Sequence, residues 1–321
     1  MKKVLLVRLD KIGDLISTMC VDQAEFMKGV DSRWVIAKGL SFVPDHSTPK
    51  RTYLELSKDD WKVSFKKLRE YVREYKPDVA VSFQAPWWVN AAFFLEKVPV
   101  RAGVLSQWHS FLFLNRGLRQ KRSHSVQHEA DYNLDLLAYA MDFKGSRSPT
   151  PTLNMVAPNN PGLLEKFHLQ KESYVVVHPG MAGSALNWPT KNYVSLIEKT
   201  LPHFPVVLTG TPMDEAFIAP IREHFKSNSR VMNLQNQLKT PELLTVLSNS
   251  KAVVVPSTGV AHMAASLGVP VLGLYSPLRV QHPRRWAARG NKVSIFVPEQ
   301  EHPDCMNDIT PEQVSAKLME L

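Results

Sequence analysis

A turn of small polar residues between two apolar runs is the first candidate for chemistry. Residues 252–255 are a short β-branched run that predicts a buried strand, and the turn 256–259 (PSTG) ends it. A helix is predicted from Val260, with His262 close to its start. The free N–H groups and the positive dipole end of such a helix suit a phosphate. The same pattern also fits an ordinary strand–turn–helix unit in which Ser257 is only a cap.

A second polar cluster directly follows the first predicted strand. The apolar run KKVLLVRL (2–9) predicts a buried strand, and residues 10–14 (DKIGD) form a turn before a helix over 15–28. Side chains placed there lie at the carboxyl edge of a parallel sheet, where open α/β sheets bind ligands. Asp14 is therefore a candidate functional carboxylate, and the alternative is a simple N-cap. The turn lacks the G-x-G-x-x-G pattern, which argues against a dinucleotide site.

Positive charge is concentrated in the first half of the chain. The formal net charge is +9; residues 1–150 hold 24 Lys and Arg against 17 Asp and Glu, whereas residues 151–321 hold 15 against 13. Nucleic acid, an anionic lipid surface or a phosphorylated glycan would each match that excess. Four cations lie in one predicted loop, 116–124: Arg116, Arg119, Lys121 and Arg122. Such a run is usually a solvated face, and contact with an anionic acceptor or a membrane is the equal alternative.

Composition limits the class of protein. A length of 321 residues predicts two domains, each with its own core. No apolar run reaches about 18 residues, and the N-terminus opens into a strand and not a signal peptide, so we expect a cytoplasmic protein. Cys20 and Cys305 are far apart and have no metal-ligand spacing, so a disulfide scaffold or a zinc site is not expected.

Strand and helix patterns alternate through both halves, which predicts an α/β protein with two parallel, doubly wound sheets. Residues 148–161 are rich in Pro, Asn and Thr and predict a linker. We therefore expect an N-terminal domain over 1–150 and a C-terminal domain over 151–309. A helix over 310–321 comes after the second sheet is complete, and it is expected as a segment that can return to the first domain. Residues 42–60 are expected to be an irregular loop.

Four segments together resemble one family of enzymes. They are VLLVRLDKIGDLI near the N-terminus, HPG with a following NWP, LTGTPMDE, and STGVAHMAASLGVPVLGLYSP. In this order and at these distances they are similar to the glycosyltransferase family 9 heptosyltransferases of lipopolysaccharide synthesis, over nearly the whole chain. The resemblance implies the GT-B fold, with two doubly wound Rossmann-like domains facing a cleft. It also implies inverting, metal-independent transfer of a sugar, typically heptose from ADP-heptose, to a glycolipid.

The resemblance assigns roles to individual residues. Asp14 matches the family's proposed general base, Asp214 an acidic residue that faces the donor ribose, and Leu238 an apolar contact with adenine. The donor-binding residues that it implies are His178, Gly180, Ser184, Thr209, Gly210, Asp214, Leu238, Ser257, Thr258, Gly259 and His262. The acceptor is expected at the basic residues Lys11, Arg119, Lys121 and Arg122.

The implied partners are a nucleotide-sugar, a lipid-linked oligosaccharide acceptor and the anionic surface of the inner membrane. No nucleic acid, no metal and no cofactor is expected, and the protein should contact the membrane from its cytoplasmic face. The chemistry needs a base for the acceptor hydroxyl, a task worth about 10²–10⁴-fold in rate. It also needs positive potential at the departing diphosphate, which without a metal comes from backbone N–H groups, a helix dipole and basic side chains.

Two departures from the family pattern bear on specificity. Many members have an Asp where this chain has Ser257, and the better-known enzymes have a Lys shortly before the Trp-Pro, where residues 183–187 read GSALN. Phosphate neutralisation would then depend on backbone groups, on Ser184 or on the nearby cations Arg279, Arg284 and Arg285. Two other functions stay open. One is a nucleotide-sugar epimerase, since that chemistry also occurs on GT-B folds, although it would need further acid and base groups. The other is a non-catalytic nucleotide-sugar or glycan-binding protein, which only these two departures support.

Overall fold

The structure, a computed structural model, describes residues 1–146, 148–181, 183 and 185–321. Its internal contacts divide the chain into two compact units. The first comprises Met1–Arg122 and Val126–Leu153, and the second comprises Ser123–Ser125 and Asn154–Leu321. The division after Leu153 lies close to the boundary after residue 150 that the sequence predicts.

The first unit is built around a parallel sheet of six strands. Its elements in chain order are β1 (Lys3–Arg8), α1 (Ile12–Met19), β2 (Asp31–Ala37), α2 (Phe42–His46), β3 (Ser47–Thr48), β4 (Tyr53–Leu56), α3 (Trp61–Tyr75), β5 (Val79–Gln84), α4 (Trp87–Leu95), β6 (Val100–Val104), α5 (Trp108–Phe113), β7 (Arg116–Leu118) and α6 (Glu129–Ala140). The sheet order is β4-β2-β1-β5-β6-β7, and each neighbouring pair is parallel.

The first sheet is covered by helices on both faces. β1 lies in its interior between β2 and β5, and its apolar residues are fully buried. Leu5 and Val7 pack against the apolar sides of α3 and α4. Alternation along the strand directs Val4 and Leu6 to the other face, where α6 contacts β5 and β6 and packs on α1. This two-sided burial is why β1 is a continuous apolar run.

The second unit repeats the same architecture. Its elements are β8 (Asn154–Met155), α7 (Pro161–Lys166), β9 (Val175–Val177), α8 (Thr190–Thr200), β10 (Val206–Leu208), α9 (Glu215–His224), β11 (Val231–Asn233), α10 (Thr240–Ser248), β12 (Ala252–Pro256), α11 (Gly259–Ser266), β13 (Val271–Leu274), α12 (Pro283–Trp286), β14 (Val293–Phe296) and α13 (Pro311–Met319). The sheet order is β11-β10-β9-β12-β13-β14, again with parallel neighbours.

The last helix belongs to the second unit. Val314 and Leu318 of α13 are fully buried in the core that also contains Trp188 and the inner residues of α8. The Trp188 indole N–H donates to the carbonyl of Ile309, 2.8 Å away, and so fixes the segment that leads into α13. The structure therefore packs this helix on α8 within the second unit. Its return to the first domain stays a prediction.

Three short strands differ from the sequence-based expectation. Residues 42–60 are not an irregular loop, because they contain α2 and the edge strand β4, which pairs with β2. The two prolines and the mixed charges of that segment made a strand of only four residues unrecognisable from the sequence. β7 lies at the opposite edge of the first sheet and β14 at one edge of the second, where a half-covered strand needs no long apolar run. The helix expected over 15–28 is also shorter, since α1 gives way to 3₁₀ turns at Cys20.

Among the described residues, no helix is long and apolar enough to cross a membrane. The two cysteines, Cys20 and Cys305, are buried thiols in different units. Within the same described ranges, no group of three or more His, Cys, Asp or Glu side chains is arranged to hold a metal ion.

Candidate catalytic and donor-binding sites

Asp14 lies at the carboxyl edge of the first sheet, in the first turn of α1. The guanidinium of Arg8, the last residue of β1, donates from Nη2 to Asp14 Oδ1 at 2.6 Å. The Asp14 side chain keeps 21% of its surface exposed, so a ligand can reach it. A carboxylate at a helix N-terminus is favoured by the helix dipole, and the arginine fixes its orientation. The geometry is that of a held, accessible carboxylate and not of an N-cap, since Lys11 occupies the N-cap position.

Arg8 is the hub of a buried ionic network. Its side chain is only 1% exposed, and it also contacts Asp10 Oδ2 at 3.0 Å and Glu129 Oε1 at 3.2 Å. Burial alone would lower the pKa of Arg8, but the carboxylates of Asp14, Glu129 and Asp10 together raise it above its ordinary value. Arg8 therefore stays charged, and it holds two carboxylates at the sheet edge against a third from α6.

Arg122 completes this network from the other side of Glu129. Its Nη1 donates to Glu129 Oε1 at 2.6 Å, and its side chain is buried. A buried arginine paired with a buried glutamate cannot form part of a surface that docks on a membrane. The prediction that Arg122 acts with Arg119 and Lys121 as one exposed basic loop is therefore wrong for Arg122, whereas both other side chains are exposed.

Asp10 is a carboxylate that the sequence reasoning left out. Its side chain is 25% exposed, and Lys58 Nζ lies 3.5 Å from its other oxygen. Burial raises the pKa of Asp10 above its ordinary value, Arg8 opposes this shift and the neighbouring Asp14 adds to it. Two carboxylates thus share one arginine at the edge where ligands bind. The signal in the sequence was an acidic residue two positions after the strand residue Arg8.

We expect Glu129→Gln to destabilise the first unit strongly. The amide would leave two buried guanidinium groups, Arg8 and Arg122, without their shared counter-charge, which costs about 3–5 kcal/mol. Urea unfolding measures the change. The matched control is Glu25→Gln, because Glu25 pairs with Lys28 at 3.4 Å on the exposed surface, where such a pair contributes little. Equal losses of stability in both variants would contradict the assignment of Glu129 as the centre of the network.

The second sheet brings the predicted donor residues of β9 and β10 together. The carboxyl ends of these neighbouring strands place His178 Nδ1 2.9 Å from Thr209 Oγ1. A Cβ at Gly180 would lie 2.0 Å from Asp214 Cγ, so only glycine fits where these two turns touch. A Cβ at Gly210 would meet Ile218 at 2.3 Å. The glycines of the HPG and LTG motifs thus serve close packing of two adjacent turns.

The side chain of Asp214 makes hydrogen bonds within its own turn. Its Oδ2 accepts from the Thr211 N–H at 2.9 Å and from the Thr211 hydroxyl at 2.8 Å, and these bonds cap the 3₁₀ turn Pro212–Asp214 that leads into α9. The residue is buried. These contacts give the Asp214 of LTGTPMDE a structural role that requires no ligand. Its contact with a donor ribose stays a prediction.

Asn187 gives the NWP motif a structural explanation. Its side-chain amide donates to the carbonyl of Pro179 at 2.7 Å, and its Oδ1 accepts from the Trp188 N–H at 2.8 Å. Trp188 itself is buried in the core of the second unit. The motif therefore anchors the end of the loop that follows HPG. Ser184, predicted to contact donor phosphate, lies outside the described residues.

The buried His178 is expected to make the folded protein less stable in acid. Burial lowers the pKa of His178 from 6.5 to about 4, although the nearby Asp214 pulls it upwards. Below pH 6.5 the unfolded chain therefore binds a proton that the folded chain does not, so stability falls as the pH drops towards 4 and is fully present above 6.5. We expect His178→Gln to lose less stability than the wild type between pH 7 and about pH 5, measured by urea unfolding. Equal losses of folding stability in the wild type and the variant would show that His178 does not contribute to the acid sensitivity.

The predicted phosphate turn has the expected form. β12 ends at Pro256, Thr258 occupies the N-cap position with extended backbone, and α11 begins at Gly259. The residues from Ser257 to Gly259 are partly exposed, whereas His262 is buried one turn later. The first N–H groups of a helix have no partner inside it, so this turn can donate to an anion. His262 is thus less accessible than the turn itself, and its contact with the donor stays a prediction.

Two further segments lie at the same edge of the second sheet. The backbone N–H of Asn236 donates to the carbonyl of Gly210 at 2.9 Å, which holds the partly exposed Leu238 and its loop next to the end of β10. The Leu186 N–H donates to Gln281 Oε1 at 3.1 Å, which joins the NWP loop to the segment after β13. That segment carries the cations considered for phosphate neutralisation: Arg279, Arg284 and Arg285.

Comparison with known proteins decides the family. A family model described as Glycosyltransferase family 9 (heptosyltransferase) matches residues 65–313, more than half of the 321 residues. The chain belongs to glycosyltransferase family 9. Lipopolysaccharide heptosyltransferase 1 of Pseudomonas aeruginosa is 24% identical over 301 residues, which are 86% of this chain and 79% of that protein.

Solved structures show the same fold. The family 9 glycosyltransferase of Veillonella parvula superposes with a TM-score of 0.83 at 16% identity, over 100% of this chain and 98% of that one. Escherichia coli ADP-heptose lps heptosyltransferase II superposes with a TM-score of 0.77 at 17% identity, over 100% and 98% of the two chains. The predictions of family, of glycosyltransferase activity and of the GT-B fold are therefore confirmed. The family match begins after Asp14, so the role of that residue is argued from its geometry and its motif.

Proposed function

We propose that this family 9 glycosyltransferase transfers heptose from ADP-heptose to a lipopolysaccharide core acceptor, with inversion at the anomeric carbon and without a metal. The observation that carries the proposal is Asp14, an accessible carboxylate held by Arg8 at the sheet edge. The name of the E. coli structural relative, ADP-heptose lps heptosyltransferase II, supports this choice of donor.

Inversion follows from a single displacement. Asp14 accepts the proton of the acceptor hydroxyl as the oxygen forms its bond to the anomeric carbon. The bond from that carbon to the diphosphate oxygen breaks on the opposite face, and the electron pair leaves with ADP. The N-terminus of α11 at Ser257–Gly259 stabilises the diphosphate charge, aided by the cations of the 279–285 segment. Backbone donors and arginines thus replace the lysine that the better-known enzymes carry.

The acceptor is proposed to bind the first unit. Lys11, at the N-cap of α1, is a close sequence neighbour of Asp14, and Arg119 and Lys121 add exposed positive charge. A lipid-linked, negatively charged core oligosaccharide matches this charge. We propose that the protein works at the cytoplasmic face of the inner membrane, where such an acceptor is displayed.

Donor choice can be tested by ligand-induced stabilisation. We expect ADP-heptose to raise the melting temperature more than UDP- or GDP-sugars at equal concentration, because only a ligand of the folded state stabilises it. Incubation with ADP-heptose alone, followed by NMR of the sugar, tests the epimerase alternative. An unchanged heptose supports the transferase. A new epimer, or stabilisation only by another nucleotide-sugar, would contradict the proposal.

A further inference from the structure

An exposed apolar surface lies on two helices of the first unit. Trp108, Phe111 and Leu112 of α5 are 69%, 57% and 60% exposed. α4 packs against α5, and the ring of Phe94 lies 5.7 Å from that of Phe113. Single exposed apolar residues are ordinary, but a contiguous group of this size marks an interaction surface. The apolar patch, as we call it, comprises Phe94, Leu95, Trp108, Phe111 and Leu112.

The chain that follows Phe94 and Leu95 and carries α5 is strongly basic, and Glu96 before it is paired with Arg69 and Arg73. Residues 97–128 contain no Asp or Glu. Their six cations are Lys97, Arg101, Arg116, Arg119, Lys121 and Arg122. The guanidinium of Arg119 lies 5.6 Å from the centre of the Phe111 ring, and that of Arg101 lies 5.4 Å from the centre of the Phe94 ring. Aromatic rings are therefore bordered directly by positive charge.

We propose that the apolar patch is a docking surface for an anionic lipid bilayer. Its aromatic and leucine side chains enter the boundary between headgroups and acyl chains, where Trp is favoured. Arg119 and Lys121 bind the lipid phosphates beside it. The positive charge of residues 97–128 favours an anionic bilayer as the partner of this surface. A second copy of the chain would bring two cationic borders together, which repels them.

The position of the apolar patch suits a lipid-linked acceptor. α5 follows the carboxyl end of β6, and Asp14 follows the carboxyl end of β1 in the same parallel sheet. A bilayer that meets Trp108, at the start of α5, therefore lies near the sheet edge that carries the catalytic carboxylate, whereas Phe94 and Leu95 end α4 towards the start of β6. This inference deepens the proposed function and rests on it only for the lipid nature of the acceptor.

Vesicle co-sedimentation tests the docking surface. The full chain should bind vesicles of phosphatidylglycerol and phosphatidylethanolamine at low salt, and bind phosphatidylcholine vesicles far less. The triple variant Trp108→Ser/Phe111→Ser/Leu112→Ser should lower partitioning by at least about tenfold. Arg119→Gln/Lys121→Gln should lower it to a similar extent at low salt, and this effect should shrink at high salt.

Matched controls separate the surface from general effects. Ile295→Ser/Met319→Ser removes exposed apolar side chains from the second unit, and Lys62→Gln/Lys67→Gln removes exposed charge from α3. Both pairs should bind vesicles almost like the wild type. Melting temperatures establish that every variant is folded. Trp108→Phe should still bind, but it should lose the blue shift of tryptophan emission that insertion of Trp108 produces.

Several results would overturn the proposal. They are equal binding by wild type and triple variant, binding only to vesicles that contain the lipid acceptor, and a dimer in sedimentation velocity that the triple variant abolishes. Transfer to a soluble, delipidated acceptor should be unchanged in the triple variant. Loss of vesicle binding with normal transfer to the soluble acceptor would thus show that the apolar patch acts in membrane docking alone. A wild-type protein that is inactive on both the lipid-linked and the soluble acceptor would instead contradict the proposed function.

Discussion

Replacing Asp14 with Asn is expected to lower turnover by about 10²-fold or more while donor affinity hardly changes. Asn keeps the shape of the side chain and can still accept the hydrogen bond from Arg8 through Oδ1. It cannot take up the proton of the acceptor hydroxyl. The defect therefore appears in the chemical step and not in binding, and steady-state kinetics with calorimetric titration of ADP separates the two.

Asp10→Asn is the matched control for this prediction. Asp10 is the other carboxylate on Arg8 at this sheet edge, and burial raises its pKa. If Asp14 is the base, Asp10→Asn should cost much less than Asp14→Asn. Near-normal turnover in a folded Asp14→Asn protein would remove the assignment, and a large loss in Asp10→Asn alone would transfer the role to Asp10.

Replacing Gly259 with Val should weaken ADP binding by about 10²-fold, the loss expected from two hydrogen bonds to a charged diphosphate. Gly259 is the first residue of α11, where the backbone must approach the phosphates closely. A branched side chain at that point holds the ligand away from the N–H groups. Calorimetric titration with ADP measures the effect, and Gly259→Ala should give a smaller loss of the same kind.

Gly162→Val is the control for Gly259→Val. Gly162 also lies in the first turn of a helix of the second unit, α7, and a Cβ there would meet open space. The control should bind ADP normally at a similar cost in helix propensity. If Gly259→Val is folded and binds ADP as well as Gly162→Val does, the diphosphate is held elsewhere.

The repeated strand–helix pattern was enough to predict the architecture. Continuous apolar runs such as residues 4–7 and 252–255 are buried on both faces of parallel sheets, so they are visible in the sequence. Each is followed by a turn at the carboxyl edge, which placed Asp14 and the Ser257–Gly259 turn correctly at the ends of β1 and β12. These features depend on local periodicity alone.

Long-range pairing was the part that local patterns could not reveal. Arg8 and Glu129 are 121 positions apart, and nothing in either segment indicates their contact. For the same reason Arg122, seen as one of a run of cations, was taken for a surface residue. β4 was not predicted because an edge strand of four residues needs little apolar sequence.

The most direct test of the account is acceptor-dependent release of ADP. The wild-type protein is mixed with ADP-heptose and a Kdo-lipid acceptor, and the formation of ADP and of heptosylated acceptor is followed together. We expect equimolar formation of both, with inverted configuration at the heptose, no release without acceptor, and a loss of about 10²-fold or more in Asp14→Asn. Donor binding without transfer, ADP release that ignores the acceptor, or a product with retained configuration would contradict it.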